Sequence, residues 1–352
     1  MKLTEIGEVG LIERLASAIR RSGEGLIRGI GDDAAVIDWP AGELLLATCD
    51  TLIDGVHFRG SRRLEGLPEA GFRGIGRRLA AVNLSDIAAM GGRPRFALVS
   101  LAAPPDTEVE ALEELYAGLT AALGEAGAVV AGGNTARAPE RLTVDVCLLG
   151  GVEPSRLLTR DGSRPGDVLC VTGDLGAAAV GLRVLETAAP GATLAGAARE
   201  AARRHLAPKP RLAAGRILGA SGSVTSCIDI SDGLLRDAEH LARASRLALG
   251  IDAEAIPVCG NTREACAAAA IDPLALALAG GEDYELLCTV RPEGVAGLVR
   301  ALAAETGLEL TVIGVATPGA PEALVLRAGK PWRPDLEAFE HFPRSRPRED
   351  AP

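Results

Sequence analysis

Residues 73–90 carry an apolar pattern with the period of an α-helix. Leu79, Val82, Asp86 and Met90 are three or four positions apart and therefore share one face of that helix. Two glycines directly after Met90, followed by Pro94, predict that the helix ends there. The shared face is apolar except for Asp86, so the pattern predicts a carboxylate that is buried against a core.

Such a carboxylate needs a cation or several hydrogen-bond donors, because an unpaired buried charge is costly. One interpretation of Asp86 is structural: a local bond to Ser85 or Asn83, or a salt bridge to an arginine. The other interpretation is a functional site, and similar acids beside glycines elsewhere in the chain favour it.

The remaining pattern predicts helices and strands that alternate. Predicted helices cover residues 7–19, 107–126, 177–185, 194–206, 211–218, 234–245 and 294–306. Predicted strands cover residues 43–49, 96–101, 128–131, 142–149, 168–172, 224–228, 286–290 and 310–315. This alternation predicts an α/β (α+β) chain. Turn residues at 150–154 predict a boundary between domains at 1–150 and 151–342. Residues 343–352 are predicted to form a disordered tail.

Composition narrows the classes of function. The chain has 352 residues, 47% of them hydrophobic, which is enough for two cores. Its net charge of −10 argues against nucleic acid as the main partner. Seven dispersed cysteines predict reduced thiols in a cytoplasmic protein. The first residues lack the apolar core of a signal peptide, and prolines interrupt the longest apolar stretches, so no membrane segment is expected.

Five acids lie beside glycines, at predicted strand ends or on the buried helix face: Asp33, Asp50, Asp86, Asp229 and Asp232. Carboxylates that are forced together repel unless divalent cations hold them, and ligand sets made only of oxygen favour Mg²⁺ or Mn²⁺. The sequence has no Cys/His cluster for zinc, no G-x-x-x-x-G-K-[ST] loop and no defensible pair of nucleophile and base. Acids without such a pair suit phosphoryl transfer, in which metals neutralise charge and the protein positions phosphates.

Several motifs occur in order along nearly the whole chain: 29–33, Asp50-Thr51-Leu52 with His57-Phe58, 81–86, Gly132-Gly133-Asn134-Thr135, Leu158-Thr159-Arg160, 229–234, 280–286 and 339–342. With this combination the chain resembles the aminoimidazole-ribonucleotide-synthetase-like superfamily and, within it, the thiamine-monophosphate kinase family. The spacing from Asp50 to His57-Phe58, the full run 280–285 and the terminal Glu340-His341-Phe342 favour the kinase family over the rest of the superfamily.

The resemblance implies ATP-dependent phosphorylation of thiamine monophosphate to thiamine diphosphate, by in-line transfer without a protein base. It implies Mg²⁺ ions held by Asp33, Asp50, Asp86 and Asp229, with contributions from Thr48, Cys49, Asn134 and Asp232. It implies ATP contacts from Tyr116, Gly133, Asn134, Arg160 and Ser231. It implies that His57, Glu282 and Phe339 meet the thiamine end, where a carboxylate and an aromatic face suit a cationic thiazolium. The family fold also implies a homodimer, in which the mixed sheet of the first domain pairs with its twin and ATP lies between them.

Two positions depart from the family pattern. Asn134 stands where the family usually has Asp, and Cys49 stands where it usually has Thr or Ser. The change at Cys49 is mild if its main-chain carbonyl is the ligand, whereas Asn134 removes a charge. Two alternatives therefore stay open: another ATP-dependent synthetase of the superfamily, and a member that has lost catalysis.

Overall fold

A computed structural model describes residues 1–19, 23–30, 34–59, 64–189 and 191–334. Up to residue 152 the chain builds one layered unit. Its helices and strands are α1 (Leu3–Ala18), β1 (Leu26–Arg28), β2 (Val36–Ile37), β3 (Leu44–Ile53), α2 (Phe72–Ala89), β4 (Arg93–Ala103), α3 (Val109–Glu125), β5 (Val129–Arg137) and β6 (Thr143–Val152).

The four long strands of this unit form a mixed sheet in the order β3-β6-β4-β5, in which only β4 and β5 are parallel. Alternating side chains of β4 and β6, such as Val99 and Val146, pack against α2 and α3 in one core. The hairpin β1–β2 covers part of the other face, where Leu98 and Leu149 are packed. Leu45 on β3 stays 56% exposed.

The second unit contains a larger sheet. Its elements are β7 (Val168–Thr172), α4 (Ala177–Thr187), α5 (Gly196–Leu206), α6 (Leu212–Ala220), β8 (Val224–Asp229), α7 (Leu234–Ser245), β9 (Ala248–Asp252), α8 (Gly260–Ala268), α9 (Pro273–Ala279), β10 (Leu286–Val290), α10 (Pro292–Thr306), β11 (Leu310–Thr317), β12 (Ala323–Arg327) and β13 (Lys330–Pro331). The strand order is β13-β12-β9-β11-β7-β10-β8, and only β9 and β12 are parallel neighbours.

Helix α2 lies between the two units and is buried around most of its circumference. It packs closely on α3 because glycines lie at the contact. A Cβ on Gly76 would come within 1.9 Å of the carbonyl oxygen of Leu115, and one on Gly118 within 1.9 Å of that of Arg73. The helix predicted over 73–90 is confirmed. Because it lies between the two units, it is buried on more sides than the predicted apolar face alone.

The structure confirms the predicted α/β (α+β) architecture and corrects several boundaries. Strand β3 continues to Ile53, so Asp50 lies inside a strand rather than at its end. Strand β5 runs through Gly132, Gly133 and Asn134, which were expected to follow the strand as a turn. Strands β9 and β12 and helix α8 were not predicted at all. Among the described residues, no helix combines the length and apolar character that crossing a bilayer requires.

Candidate active site

Three of the predicted acids converge where α2 meets both sheets. Thr48, Asp50 and the buried Leu52 alternate along β3 and therefore face the α2 side of the first sheet. Thr48 Oγ1 donates a hydrogen bond to Oδ2 of Asp86 on α2. The preceding residue of the helix, Ser85, donates from Oγ to Oδ2 of Asp229 at the end of β8, over 2.7 Å. Strand alternation and one helical turn thus bring carboxylates from three distant segments together.

These hydrogen bonds bear on one part of the structural interpretation of Asp86, the local bond to Ser85 or Asn83. Ser85 is directed to Asp229, and the side-chain amide of Asn83 donates to the carbonyl of Leu79 over 3.0 Å. The local bond to Ser85 or Asn83 is therefore not the one that Asp86 makes. Arg160 is the cation whose charge lowers the pKa of Asp86, and Arg160 itself is exposed.

The three carboxylates repel one another. Burial, followed by the charge of Asp86, raises the pKa of Asp50 to about 6. Burial, followed by the charge of Asp86, raises the pKa of Asp229 to about 7, although the Ser85 hydroxyl acts in the opposite direction. Burial also raises the pKa of Asp86. Oxygen-only ligands with this unrelieved negative charge fit hard divalent cations such as Mg²⁺.

A neighbouring acid was missed by the sequence reasoning. Asp237 on α7 accepts hydrogen bonds from the backbone N–H groups of Ser231 and Asp232, both over 3.1 Å. One ligand atom each of Asp232, Asp237 and His240 lie within 4.8 Å of one another. Burial raises the pKa of Asp237 to about 8, with further contributions from the charges of Asp229 and Asp232. Its only sequence signal was its place in the first turn of the helix that follows the Asp-Gly pair.

The predicted thiamine-side residues His57 and Glu282 lie near each other, on either side of Arg78. The His57 ring is fixed at the end of β3, because its Nδ1 accepts from the backbone N–H of Ile53 over 3.1 Å. Arg78 on α2 donates to the His57 carbonyl over 2.9 Å and to the Glu282 carboxylate. Glu282 Oε2 also lies 2.9 Å from Nδ1 of the buried His205. Arg78 and His205 carried no signal that the sequence reasoning used.

The predicted ATP residues lie further along the first sheet. Tyr116, Gly133 and Asn134 line one cavity of about 150 Å³ beside α1. Strand β5, at the edge of the sheet, forms part of its wall, and Gly133 allows close approach to β4, since a Cβ there would come within 2.0 Å of the Val99 carbonyl oxygen. Ser231 follows Asp229 after β8, so it lies on the acid side instead.

Asn134 is not next to the three acids within one chain. It belongs to a cross-strand row that runs Asn134, Ser100, Asp145 and Thr51 over the four strands. Three strand spacings separate its backbone from that of Thr51, or roughly 14 Å. Asp145 in this row accepts a hydrogen bond from Thr51 and raises the pKa of Cys49, after burial and Cys147. Asp145, which the sequence did not single out, therefore lies with Thr51 and Cys49 on the face of the sheet opposite Thr48 and Asp50.

Cys49 is exposed on the opposite face of β3 from Thr48 and Asp50, directly across from Cys147. Its thiol therefore does not join the three acids. Asp33 and Phe339, predicted as a metal ligand and a thiamine contact, lie outside the residues that the structure describes.

Comparison with known proteins first gives the class. Residues 31–152 match the AIR synthase related protein N-terminal domain, and residues 164–327 match the AIR synthase related protein C-terminal domain. The chain therefore belongs to the AIR synthase related proteins, and within them its relatives define the thiamine-monophosphate kinase family as its own. The thiamine-monophosphate kinase of Escherichia coli O157:H7 is 35% identical over 338 residues, which cover 96% of this chain and 98% of that protein.

Solved structures agree with this assignment. The crystal structure of thiamine-monophosphate kinase from Stenotrophomonas maltophilia K279a has a TM-score of 0.78 at 34% identity, covering 91% of this chain and 96% of that one. A structure of AaThiL complexed with AMPPCP and TMP has a TM-score of 0.74 at 32% identity, covering 97% and 99%.

Proposed function

We propose that this chain transfers the γ-phosphoryl group of ATP to thiamine monophosphate and so forms thiamine diphosphate and ADP. The observation that carries the proposal is the convergence of Asp50, Asp86 and Asp229, whose pKa values are raised by burial and, at Asp50 and Asp229, by the charge of Asp86. Membership of the thiamine-monophosphate kinase family supports it, as does the neighbour bound to AMPPCP and TMP.

In the proposed reaction, a terminal oxygen of the acceptor phosphate attacks the γ-phosphorus in line. A new phosphorus–oxygen bond forms, the bond to the β–γ bridging oxygen breaks, and ADP leaves with the electron pair. The acceptor oxygen is already largely ionised at neutral pH, so no protein base is needed. This agrees with the absence of a defensible nucleophile–base pair in the sequence.

Asp50, Asp86 and Asp229 would hold Mg²⁺, with Asp33, Thr48, Cys49, Asn134 and Asp232 as further candidate ligands. When bound, Mg²⁺ would neutralise the phosphate charge that develops during transfer. Thr48 and Ser85 orient the carboxylates of Asp86 and Asp229 through their hydroxyl donors. Arg160 adds a positive charge near the same carboxylates, which suits contact with the ATP phosphates.

We further propose that two copies of the chain form the complete site, and that residues 1–150 form the domain that binds ATP and dimerises. Asn134 lies roughly three strands from the Asp50 strand within one chain, so a nucleotide that meets both would lie between two sheets. The exposed Leu45 on β3 supports an interface on this sheet. Residues 151–342 would form the second domain. The seven unpaired cysteines are compatible with a cytoplasmic enzyme.

The test is a coupled assay of ADP release from MgATP, with thiamine monophosphate, thiamine and pyridoxine as separate acceptors. We expect turnover with thiamine monophosphate, and formation of thiamine diphosphate detected by chromatography. If none of the three acceptors supports turnover at any Mg²⁺ concentration, the proposal is wrong. ADP release without a phosphorylated acceptor would favour another synthetase of the superfamily.

A further inference from the structure

Arg78 is a buried cation at the contact between the two units of the chain. It lies in the middle of α2, and its side chain is only 4% exposed. Its Nη1 donates to the main-chain carbonyl of His57 over 2.9 Å, and its Nη2 donates to Oε1 of Glu282. One guanidinium group thus joins a loop of the first unit to a turn of the second.

Glu282 is held in an unusual backbone conformation for this contact. Its φ of +59° is in the left-handed region, which a residue with a Cβ adopts only at an energetic cost. The backbone N–H of Glu282 donates to the carbonyl of Ser231 over 2.8 Å, which anchors the turn. The turn directs the carboxylate towards Arg78 and His205, so surrounding contacts maintain a strained conformation at this position.

Both carboxylate oxygens of Glu282 have partners within the protein. Oε1 accepts from Arg78, and Oε2 lies 2.9 Å from Nδ1 of His205. Burial alone would raise the pKa of Glu282, but Arg78 and His205 outweigh it and lower the pKa to about 2. Glu282 is therefore ionised, and its negative charge is already paired with the positive charge of Arg78 before any substrate binds.

His205 closes the cluster. Burial, followed by the charge of Arg78, lowers its pKa, so the ring is neutral near pH 7. A neutral ring with its hydrogen on Nδ1 can face Glu282 Oε2, while the lone pair on Nε2 faces Arg78 Nη1 at 3.3 Å. With this tautomer, Nε2 accepts a hydrogen bond from Arg78, whereas Nδ1 and Glu282 Oε2 make a close polar contact that lacks hydrogen-bond alignment. Arg78, His205 and Glu282 therefore form a closed polar triangle.

We propose that Arg78, supported by His205, is a positioning residue for the thiamine end of the substrate. This rests on the proposed function, in which His57 and Glu282 meet thiamine. The Glu282 side chain is 29% exposed and that of Arg78 only 4%, so the carboxylate forms the accessible side of the pair. Arg78 fixes this carboxylate at a set distance from the His57 loop. Glu282 would contact the thiazolium through the lone pairs that Arg78 and His205 leave unused. It would not serve as an unpaired counter-ion.

The test compares Arg78→Met and Arg78→Lys with the wild type in steady-state kinetics. We expect Arg78→Met to raise KM for thiamine monophosphate about tenfold, the loss expected from about 1.4 kcal/mol, while KM for ATP changes less than about twofold. Arg78→Lys keeps the charge but has a single nitrogen, which cannot join the His57 carbonyl and Glu282 as a guanidinium does. It should therefore give an intermediate KM for thiamine monophosphate.

Arg203→Met is the matched control. Arg203 also joins the two units, through a 3.1 Å ion pair with Glu69, and neither residue is a predicted site residue. Its loss should leave both KM values unchanged. Equal increases in both KM values for Arg78→Met, or the same selective increase for Arg203→Met, would overturn the proposal. A wild type without turnover would instead refute the proposed function.

A double variant keeps the test valid if Arg78→Met alone is too unstable, since it leaves Glu282 without its cation. Arg78→Met with Glu282→Gln removes both charges. Because Arg78 acts largely through Glu282, its loss should raise KM for thiamine monophosphate less in the Glu282→Gln background than in the wild type. Fully additive effects on KM would show that Arg78 does not position Glu282, and would overturn the proposal.

Discussion

Two clusters of titratable side chains lie along α2, one around Asp86 and one around Arg78, and the pKa values of their carboxylates shift in opposite directions. Around Asp86, burial and mutual repulsion raise the pKa of Asp50 to about 6 and of Asp229 to about 7. Around Arg78, one turn-bound carboxylate has its pKa lowered to about 2. Burial opposes ionisation in both places. The difference is that the second group includes a buried cation and the first does not.

This difference distinguishes a carboxylate whose charge is balanced inside the protein from carboxylates whose charges are not. A carboxylate that is paired inside the protein has a fixed charge and a fixed direction, which suits the recognition of a shape. Carboxylates that repel one another are stabilised when they bind a proton or an external cation. The same helix therefore contacts one carboxylate whose charge is paired within the protein and a group of carboxylates that, under the function proposed above, would hold metal ions.

The largest expected effect is from Asp86→Asn, which removes one negative charge from the group formed by Asp50, Asp86 and Asp229. We expect kcat/KM to fall by about three orders of magnitude, because metal-ion charge stabilisation is worth several kcal/mol. The apo protein should keep or gain thermal stability, because one of the repelling charges is gone. Steady-state kinetics and thermal melts in EDTA measure both effects.

Asp106→Asn is the control for that change, because Asp106 is an exposed loop residue. It should leave both rate and melting temperature unchanged. Near-normal turnover of Asp86→Asn at saturating Mg²⁺ would mean that the group around Asp86 is not the metal site.

Phe339→Ala extends the comparison to the recognition side. Phe339 lies outside the described residues, and its role stays a prediction from the sequence. A desolvated cation–π contact is worth about 1–2 kcal/mol, so KM for thiamine monophosphate should rise roughly tenfold. KM for ATP should change little. Equal changes in both constants would assign Phe339 to packing rather than to the thiazolium.

Asn134→Asp sharpens the comparison on the metal side. Asn134 offers an oxygen without a charge, so restoring a carboxylate should lower the Mg²⁺ concentration for half-maximal rate by about threefold, or roughly 0.7 kcal/mol. The change in kcat at saturating Mg²⁺ should be smaller. A Mg²⁺ titration of both proteins decides, and identical curves would show that position 134 does not touch the metal. A wild type that no Mg²⁺ concentration activates would mean that catalysis has been lost.

The smallest expected effect is a pH-dependent shift in stability. Asp50 and Asp229 have folded pKa values above the usual 3.8, so the native state binds extra protons between about pH 4 and 7. Their stabilising contribution is complete below pH 3.8 and is lost as pH rises through 6 to 7. Glu282 has a lowered pKa, so its contribution is lost only as pH falls towards 2.

Between pH 5 and 8 the melting temperature of the apo protein should therefore fall by a few degrees. Mg²⁺ should raise it more at pH 8 than at pH 5. Asp237 and Asp283 contribute the same sign, because burial raises their pKa values too. Asp86→Asn should reduce the difference between the two Mg²⁺ shifts without removing the whole slope. Equal Mg²⁺ shifts at both pH values would contradict this account.

The sequence predicted elements whose pattern is local. The helix over 234–245 and the strand over 286–290 have the predicted bounds, and the helix around Asp86 differs by one residue at each end. Local patterns also identified Asp50, Asp86 and Asp229 as candidate site residues. Strand lengths at Asp50 and Asn134 were wrong, because glycines and acids favour turns locally while sheet pairing extends the strands.

Pairings across long sequence separations could not be predicted. Arg78 and Glu282 are 204 positions apart, and nothing in either segment marks the other as its partner. The same applies to Ser85 and Asp229, which are 144 positions apart. The acids could be named from sequence because each has a local anomaly, whereas Arg78 and His205 look like ordinary helix residues until the two units are packed together.

Because both groups contact one rigid helix, α2 also sets a length. Arg78 and Asp86 are eight positions apart, which corresponds to about 12 Å along a helix axis at 1.5 Å per residue. With the roles proposed above, the helix acts as a ruler between the reacting phosphate and the far end of the acceptor. The enzyme would then select acceptors by their span as well as by their chemistry. A phosphate ester shorter than this span would contact one of the two groups and leave the other exposed to solvent.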